Sequence, residues 1–165
     1  MKTRILLFFL ILTLCCEIKA QKTETLEDAY EAYNTGNHEQ AFRIFSTFAE
    51  QGNAKAQNTL GELYQFGLGT AESYTEAAKW YRKAAEQGVA NAQFKLGALS
   101  LFGLGTPASV TEGIKWLVKS AEQGDENARK CLEVISEDSA LITSIKSAAD
   151  KGDKDLEDAY KLYEE

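Results

Sequence analysis

A set of short motifs recurs along this chain at a fixed step of 36 residues. Ala54-Lys55-Ala56-Gln57-Asn58-Thr59-Leu60-Gly61 returns as Ala90-Asn91-Ala92-Gln93-Phe94-Lys95-Leu96-Gly97, and Phe66-Gly67-Leu68-Gly69-Thr70 as Phe102-Gly103-Leu104-Gly105-Thr106. Lys79-Trp80 returns as Lys115-Trp116, and Ala85-Glu86-Gln87-Gly88 as Ala121-Glu122-Gln123-Gly124, with a further upstream copy at Ala49-Glu50-Gln51-Gly52. Self-similarity at a period of this size restricts the fold to an array of stacked units, each of which buries its apolar face on its neighbours.

Each unit reads as two helices. The first carries Ala56, Leu60 and Leu63 (copies Ala92, Leu96, Leu99) at i, i+4, i+7, one apolar stripe of a 3.6-residue period. Gly67 and Gly69 end it, since glycine accepts the positive φ of helix C-termini and sharp turns. The second helix opens with Ser73-Tyr74-Thr75-Glu76, copied as Ser109-Val110-Thr111-Glu112. Both read as capping boxes, in which the serine hydroxyl takes the amide three residues on and the glutamate reaches back. That helix runs through Ala77, Trp80, Tyr81, Ala84 and Ala85 to Gly88. The single proline in 165 residues leaves little to interrupt such helices.

The outer units vary the theme. Residues 24–52 predict a shorter pair, with helix Thr25–Thr35, a turn at Gly36 and Asn37/Gln40 as a third cap. Toward the C-terminus Gly124 is followed by Gly152 after only 28 residues, so the fourth pair has lost the Gly-Leu-Gly-Thr loop; helices are expected near 126–136 and 139–150, with a covering helix in 153–165. The expected fold is all-α, one short α-solenoid over residues 21–165, with pairs near 24–52, 53–88, 89–124 and 125–152.

Residues 1–20 read as an address rather than as fold. Lys2 and Arg4 precede a run of about twelve mainly apolar residues from Ile5 to Cys16, and Ala20 offers a cut site. This is the layout of a secretory signal peptide. A membrane span needs about 20 apolar residues, which the run does not reach. A lipoprotein reading is disfavoured because Leu14, not a small residue, precedes Cys15. Cleavage after Ala20 would remove Lys2, Arg4, Lys19 and Glu17, taking the formal charge from −7 to −9, and would leave Cys131 as the sole cysteine. Such a chain has no internal disulfide and is held by its core. Its acidity argues against nucleic acid, which demands a basic stripe.

The pattern Ala-x-x-x-Leu-Gly-x-x-Tyr-x-x-Gly-x-Gly at 56–69, followed by Ala-x-x-Trp-Tyr-x-Lys-Ala-Ala-Glu-Gln-Gly at 77–88, resembles the Sel1-like repeat, a relative of the tetratricopeptide repeat. Residues 54–125 carry two good copies. The second departs at Ser100 for Tyr64, Leu117 for Tyr81 and Gly113 for Ala77, which weakens its packing signal in the sequence but not the family resemblance. The resemblance implies a solenoid serving as an adaptor or scaffold for other proteins, commonly an exported bacterial one. Some Helicobacter relatives bridge each repeat with a cysteine pair. This chain lacks those pairs, and with them the support for the penicillin-handling activity associated with that subgroup.

No catalytic constellation emerges. His38 is the only histidine and is expected as an exposed turn residue. One histidine and one remaining cysteine cannot form a tetrahedral zinc site. The carboxylates Glu27/Asp28/Glu31 and Asp155/Glu157/Asp158 fall on polar helix faces. The Gly-x-Gly pairs lack the rest of a phosphate cradle. No cofactor is expected. Trp80 and Trp116, at repeat spacing, are expected in the core, and a disulfide dimer through Cys131 is the disfavoured reading.

A partner is expected along the surface that the first helices share. Off the core stripe the first full repeat has Asn58, Glu62 and Gln65, which suggests a face meeting water; the second has Phe94, Ala98 and Leu101; the third has Lys130, Val134 and Glu137. The middle helix is thus apolar on two sides. It is either more enclosed or carries an apolar docking patch, and the sequence leaves both open. The expected function is an exported, non-enzymatic module binding a protein or peptide, periplasmic or secreted toward a host. The alternative is an envelope hydrolase acting on cell-wall or β-lactam-type substrates.

Overall fold

A computed structural model describes residues 24–137 together with Thr143, Lys146 and Ser147. Its described residues form seven α-helices and no strand: α1 (Leu26–Asn34), α2 (His38–Glu50), α3 (Ala54–Phe66), α4 (Tyr74–Glu86), α5 (Ala90–Phe102), α6 (Val110–Glu122) and α7 (Glu126–Ser136). Each helix packs on the next in chain order, with the closest pairing inside the repeats, α3 on α4 and α5 on α6. The chain is an all-helical solenoid. The helices expected in 139–150 and 153–165 lie outside the described residues, apart from Thr143, Lys146 and Ser147, which are helical.

The caps are half as expected. Ser73 and Ser109 accept the amides of Glu76 and Glu112, each at 3.2 Å. The reciprocal half does not form, because the Ser73 and Ser109 amides donate instead to the carbonyls of Tyr64 and Ser100, each at 2.8 Å. The glutamates are therefore released for other work. Glu76 pairs with Lys79, and Glu112 takes Arg82 of α4 at 2.7 Å and the Trp116 indole at 3.4 Å. Asn37 accepts the Gln40 amide, but the Gln40 side chain meets the Asn37 side chain and not its backbone. A complete capping box stands at Thr25 and Asp28, where the Thr25 amide donates to the carboxylate at 2.8 Å.

The core forms three connected clusters. Ala29, Ile44, Phe45, Ala56, Leu60 and Leu63 hold the first; Ala77, Tyr81, Ala84, Ala92 and Leu96 the second; Ile114, Leu117, Val118, Ala128 and Leu132 the third. Trp80 is buried as expected, with Lys83 Nζ 4.0 Å from its ring centroid. Trp116 is only half-buried, at the edge of the second cluster.

Close approach inside the repeats depends on missing Cβ atoms. A Cβ on Gly61 would lie 2.7 Å from the Tyr81 ring. In the second repeat a Cβ on Gly97 would meet the Gly113 carbonyl at 2.9 Å, and one on Gly113 would meet Leu101 at 2.7 Å. Gly97 and Gly113 thus let α5 and α6 pack backbone to backbone, although the departures at Gly113 and Leu117 blur the packing signal of this copy in the sequence.

Two devices join one repeat to the next. The second loop glycine docks on the N-terminus of the preceding second helix: Gly69 (φ +70°) on His38 and Gly105 (φ +67°) on Tyr74. A Cβ at either would sit 2.1 Å from that residue's carbonyl oxygen. His38 is accordingly half-buried, its ring edge-on to Tyr33 at 5.8 Å, and not the exposed turn residue expected. The other device is a glutamine ladder. Buried Gln57 donates to the Ala49 carbonyl at 3.0 Å and accepts from Gln87 at 2.7 Å; Gln93 donates to Ala85 at 3.1 Å and accepts from Gln123 at 2.7 Å. Buried amides need such partners, and here each satisfies a carbonyl of the repeat before it.

Candidate partner-binding surface

The first helices of successive units adjoin. The ionisation of Tyr33 on α1 feels Glu62 on α3, that of Glu62 feels Lys95 on α5, and α5 and α7 share the walls of one hollow. This is the surface on which the sequence placed Asn58, Glu62, Gln65, Phe94, Ala98, Leu101 and Lys130.

Its N-terminal half is polar but does not simply meet water. Asn58, Glu62 and Gln65 are all half-buried. Asn58 Nδ2 donates to Glu62 at 3.4 Å, and the Tyr81 hydroxyl reaches through from α4 to donate to Gln65 at 2.7 Å. Asn58 Oδ1 is buried without a protein partner. Burial pushes the Glu62 carboxyl above the usual carboxylate range, although Lys95 and the Asn58 amide pull the other way. Burial and then the Glu62 charge raise the Tyr33 and Tyr81 phenols.

The C-terminal half is apolar. Phe94 and Leu101 pack against Ile114, Leu117, Ala128 and Leu132, which answers the open question largely in favour of enclosure. Leu101 nevertheless also lines, with Ala98, Phe102, Lys130, Cys131, Val134 and Ile135, an open hollow of about 320 Å³ whose floor is Leu117. Phe102 and Val134 are 75% and 70% exposed at its rim, and Lys130 is exposed beside them.

The hollow has a simple origin in the repeat. One position supplies the side chain that fills the space between successive first helices: Phe45, Tyr81 and Leu117 occupy it in turn, each fully buried. The ring is present twice and absent the third time. With Ala98 and Leu101 where the previous repeat has Glu62 and Gln65, the space left is apolar as well as open. The substitution of Leu117 for Tyr81 was visible in the sequence, but its meaning required knowing what Tyr81 fills. Phe102 and Ile135 were not legible as site residues, because at their positions Phe66 and Leu99 read as loop and core.

No group of three or more potential metal-ligating side chains occurs among the described residues, and none of their helices is long and apolar enough to cross a membrane. Cys131 is half-buried in the wall of the hollow, its thiol pushed up by burial and by the Asp125 charge.

Comparison with known proteins places this surface in context. The family model described as "Sel1 repeat" matches residues 32–53, 54–89 and 90–125. No curated protein matches the chain. Among solved structures, a Sel1 repeat protein from Oxalobacter formigenes is 33% identical over 84% of this chain and 60% of its own length, with a TM-score of 0.64. A protective antigen present in uropathogenic Escherichia coli strains, displaying an SLR fold, is 32% identical over 78% of this chain and 30% of its own, also at 0.64. Helicobacter pylori cysteine rich protein B, 18% identical over 66% of this chain and 98% of its own with a TM-score of 0.53, shares the fold. The chain thus spans 60% of the length of the first and 30% of that of the second, less than two thirds of either.

Proposed function

The chain belongs to the Sel1 repeat family, and from that premise we propose that it is an exported, non-enzymatic adaptor that captures a protein or peptide on the surface shared by α1, α3, α5 and α7. Sel1 repeats generally mediate protein–protein interaction, which supports the reading at the level of the family. The observation that carries it for this chain is the change of chemistry along one surface. The half-buried Glu62 carboxylate, with the amides of Asn58 and Gln65, gives way within one repeat to the apolar hollow over Leu117. Such a surface orients a ligand: a segment with a donor at one end and an apolar anchor at the other fits in one direction only. The basic start and short apolar run of residues 1–20 support export.

A photo-reactive residue placed at Gln65 or Phe102, with another at Lys83 on α4 as the control, tests the reading in the native envelope. One adduct common to Gln65 and Phe102 and missing from Lys83 is expected. Equal labelling at all three positions refutes it. N-terminal sequencing of the exported chain should start at Gln21. Turnover of a chromogenic β-lactam that survives purification and is lost on a single-residue change would replace the adaptor with a hydrolase.

A further inference from the structure

The side chain that fills the space between two first helices reaches it by crossing a glycine. Tyr81 passes over α3 at Gly61, where a Cβ would stand 2.7 Å from the ring, and its hydroxyl ends on Gln65 at 2.7 Å. Leu117 takes the same course over α5 at Gly97, where a Cβ would stand 3.0 Å from its Cγ, and it stops there. The outer half of a ring and its hydroxyl have no counterpart. What remains is the hollow of about 320 Å³ between α5 and α7, large enough for an aromatic side chain and part of the backbone that carries it.

Two features restrict what enters it. Its surface is almost wholly apolar, because Ala98 and Leu101 stand where Glu62 and Gln65 would receive a polar group. Its one charged lining residue is a cation, Lys130, exposed at the rim; the neighbouring Arg129 is already engaged with Glu126 at 2.9 Å. A chain of formal charge −7 thus sets a lysine beside this opening. Phe102 and Val134, 75% and 70% exposed, flank its mouth.

We infer that the hollow anchors an acidic peptide segment of the partner, which seats a phenylalanine ring where this repeat lacks its own and sets a neighbouring carboxylate against Lys130. The ring comes in trans, entering from solvent between Phe102 and Val134, with its far edge on Leu117 and Leu101. A tyrosine would carry its hydroxyl to that apolar floor, where no side chain accepts it, so the site selects Phe over Tyr. The opposite charge at the rim selects an acidic neighbour and disfavours a basic one. This names the chemistry of the partner for the surface assigned above and rests on that adaptor reading.

Cys131, in the wall of the hollow, reports occupancy through the rate at which N-ethylmaleimide adds to it in the full chain, read on its own peptide by mass spectrometry. The probes are acetyl-Gly-Glu-Phe-Gly-amide and its forms with Tyr or Ala for Phe, or with Lys for Glu. The Glu-Phe peptide should protect Cys131. The Tyr form should be about tenfold weaker, the Ala form weaker by about tenfold or more, and the Lys form about threefold weaker. Lys130→Gln should remove the difference between the Glu and Lys forms. Leu117→Phe, which supplies the ring in cis, should melt no lower than the wild type, slow Cys131 by itself and abolish the effect of the peptide. Should it melt lower, Ala98→Glu, which restores the residue of the preceding repeat, takes its place and should abolish protection. No protection by the Glu-Phe peptide, equal protection by the Tyr or Lys form, or protection that persists in these variants overturns the proposal. So does stronger protection by octanoate, which makes the occupant an acyl chain, or protection that grows with protein concentration alone, which makes it a second copy. Failure of the peptide while Gln65 and Phe102 still share one adduct sinks the anchor and spares the adaptor. A missing adduct sinks the adaptor reading whatever the peptide does.

Discussion

Replacing Gln93 by Met removes one hydrogen bond to the preceding repeat and one to Gln123 within its own repeat, while keeping the side chain unbranched and close in volume. Gln93 is 5% exposed, so the new side chain stays in a closed site and no large cavity opens. Its Nε2 no longer reaches the Ala85 carbonyl at 3.1 Å, and its Oε1 no longer accepts from Gln123 at 2.7 Å. Each intramolecular bond is worth about 1 kcal/mol net, and a buried carbonyl left short of a donor costs about 1–3 kcal/mol. Gln123 is exposed and can turn to water, and the thioether recovers part of the loss as apolar burial. A net destabilisation of about 2–3 kcal/mol follows. For a folded unit of this size, that is a drop of roughly 8–12 °C in melting temperature. Thermal and urea melts followed by far-ultraviolet circular dichroism measure it, and the urea slope should not change. A double-mutant cycle with Gln123→Ala isolates the contact between the glutamines and should return a coupling of about 1 kcal/mol. A loss below about 0.5 kcal/mol, or a coupling near zero, would mean the ladder decorates the interface without holding it, and the reasoning fails.

Glu62 gives a prediction of opposite sign. Its carboxyl is raised in the fold, so the stabilisation it favours belongs to the protonated form, is complete below the unfolded carboxylate pKa and is lost as pH rises through the folded value. Glu62→Gln should therefore raise the melting temperature at pH 7 by roughly 2–4 °C, with the advantage gone near pH 3; a lower melting temperature at pH 7 contradicts it. Among the glycines, Gly105→Ala should cost about 3 kcal/mol or more, since it adds a clash with the Tyr74 carbonyl to the left-handed φ, whereas Gly88→Ala, with open space around it, should cost only the 1–2 kcal/mol of that φ; equal costs in urea melts would refute the docking of the loop. Because the Cys131 thiol is half-buried and pushed up, it carries little thiolate near neutrality, and the chain should run as a monomer on a non-reducing gel with the mobility of Cys131→Ser.

Much of the fold was legible because the repeat converts a sequence comparison into a structural one. Ala56, Leu60 and Leu63 read as a buried stripe and are buried, and Ser73 and Ser109 read as helix caps and cap. The reciprocal half of those caps was not legible, because the fate of Glu112 depends on Arg82, thirty residues earlier and one repeat away. Gln57 and Gln93 were quoted as repeat letters, yet nothing local says that a glutamine is a buried bridge and not a surface amide. The site divides in the same way. Asn58, Glu62 and Gln65 announced a polar stripe, and Phe94 and Leu101 an apolar one. The hollow itself comes from a side chain that Leu117 does not have, and an absent ring is read only by contrast with the place where Tyr81 is seen to lie.

The ladder also has an end. At the next position in the series stands Arg129, which turns outward to Glu126 at 2.9 Å and so leaves the junction between α6 and α7 without the amide bridge of the two before it. In an array stabilised by nearest neighbours, a weaker last junction sets the order of opening. Among the described helices this junction should open first: α7 lifts, the walls beside Leu117 part, and α1 to α4 keep their amide protection until global unfolding. Hydrogen exchange resolved along the chain should show that gradient, steepest between Glu126 and Ser136. The array would then be rigid where it is polar and compliant where it is apolar, so that its two ends answer the same pull at different forces.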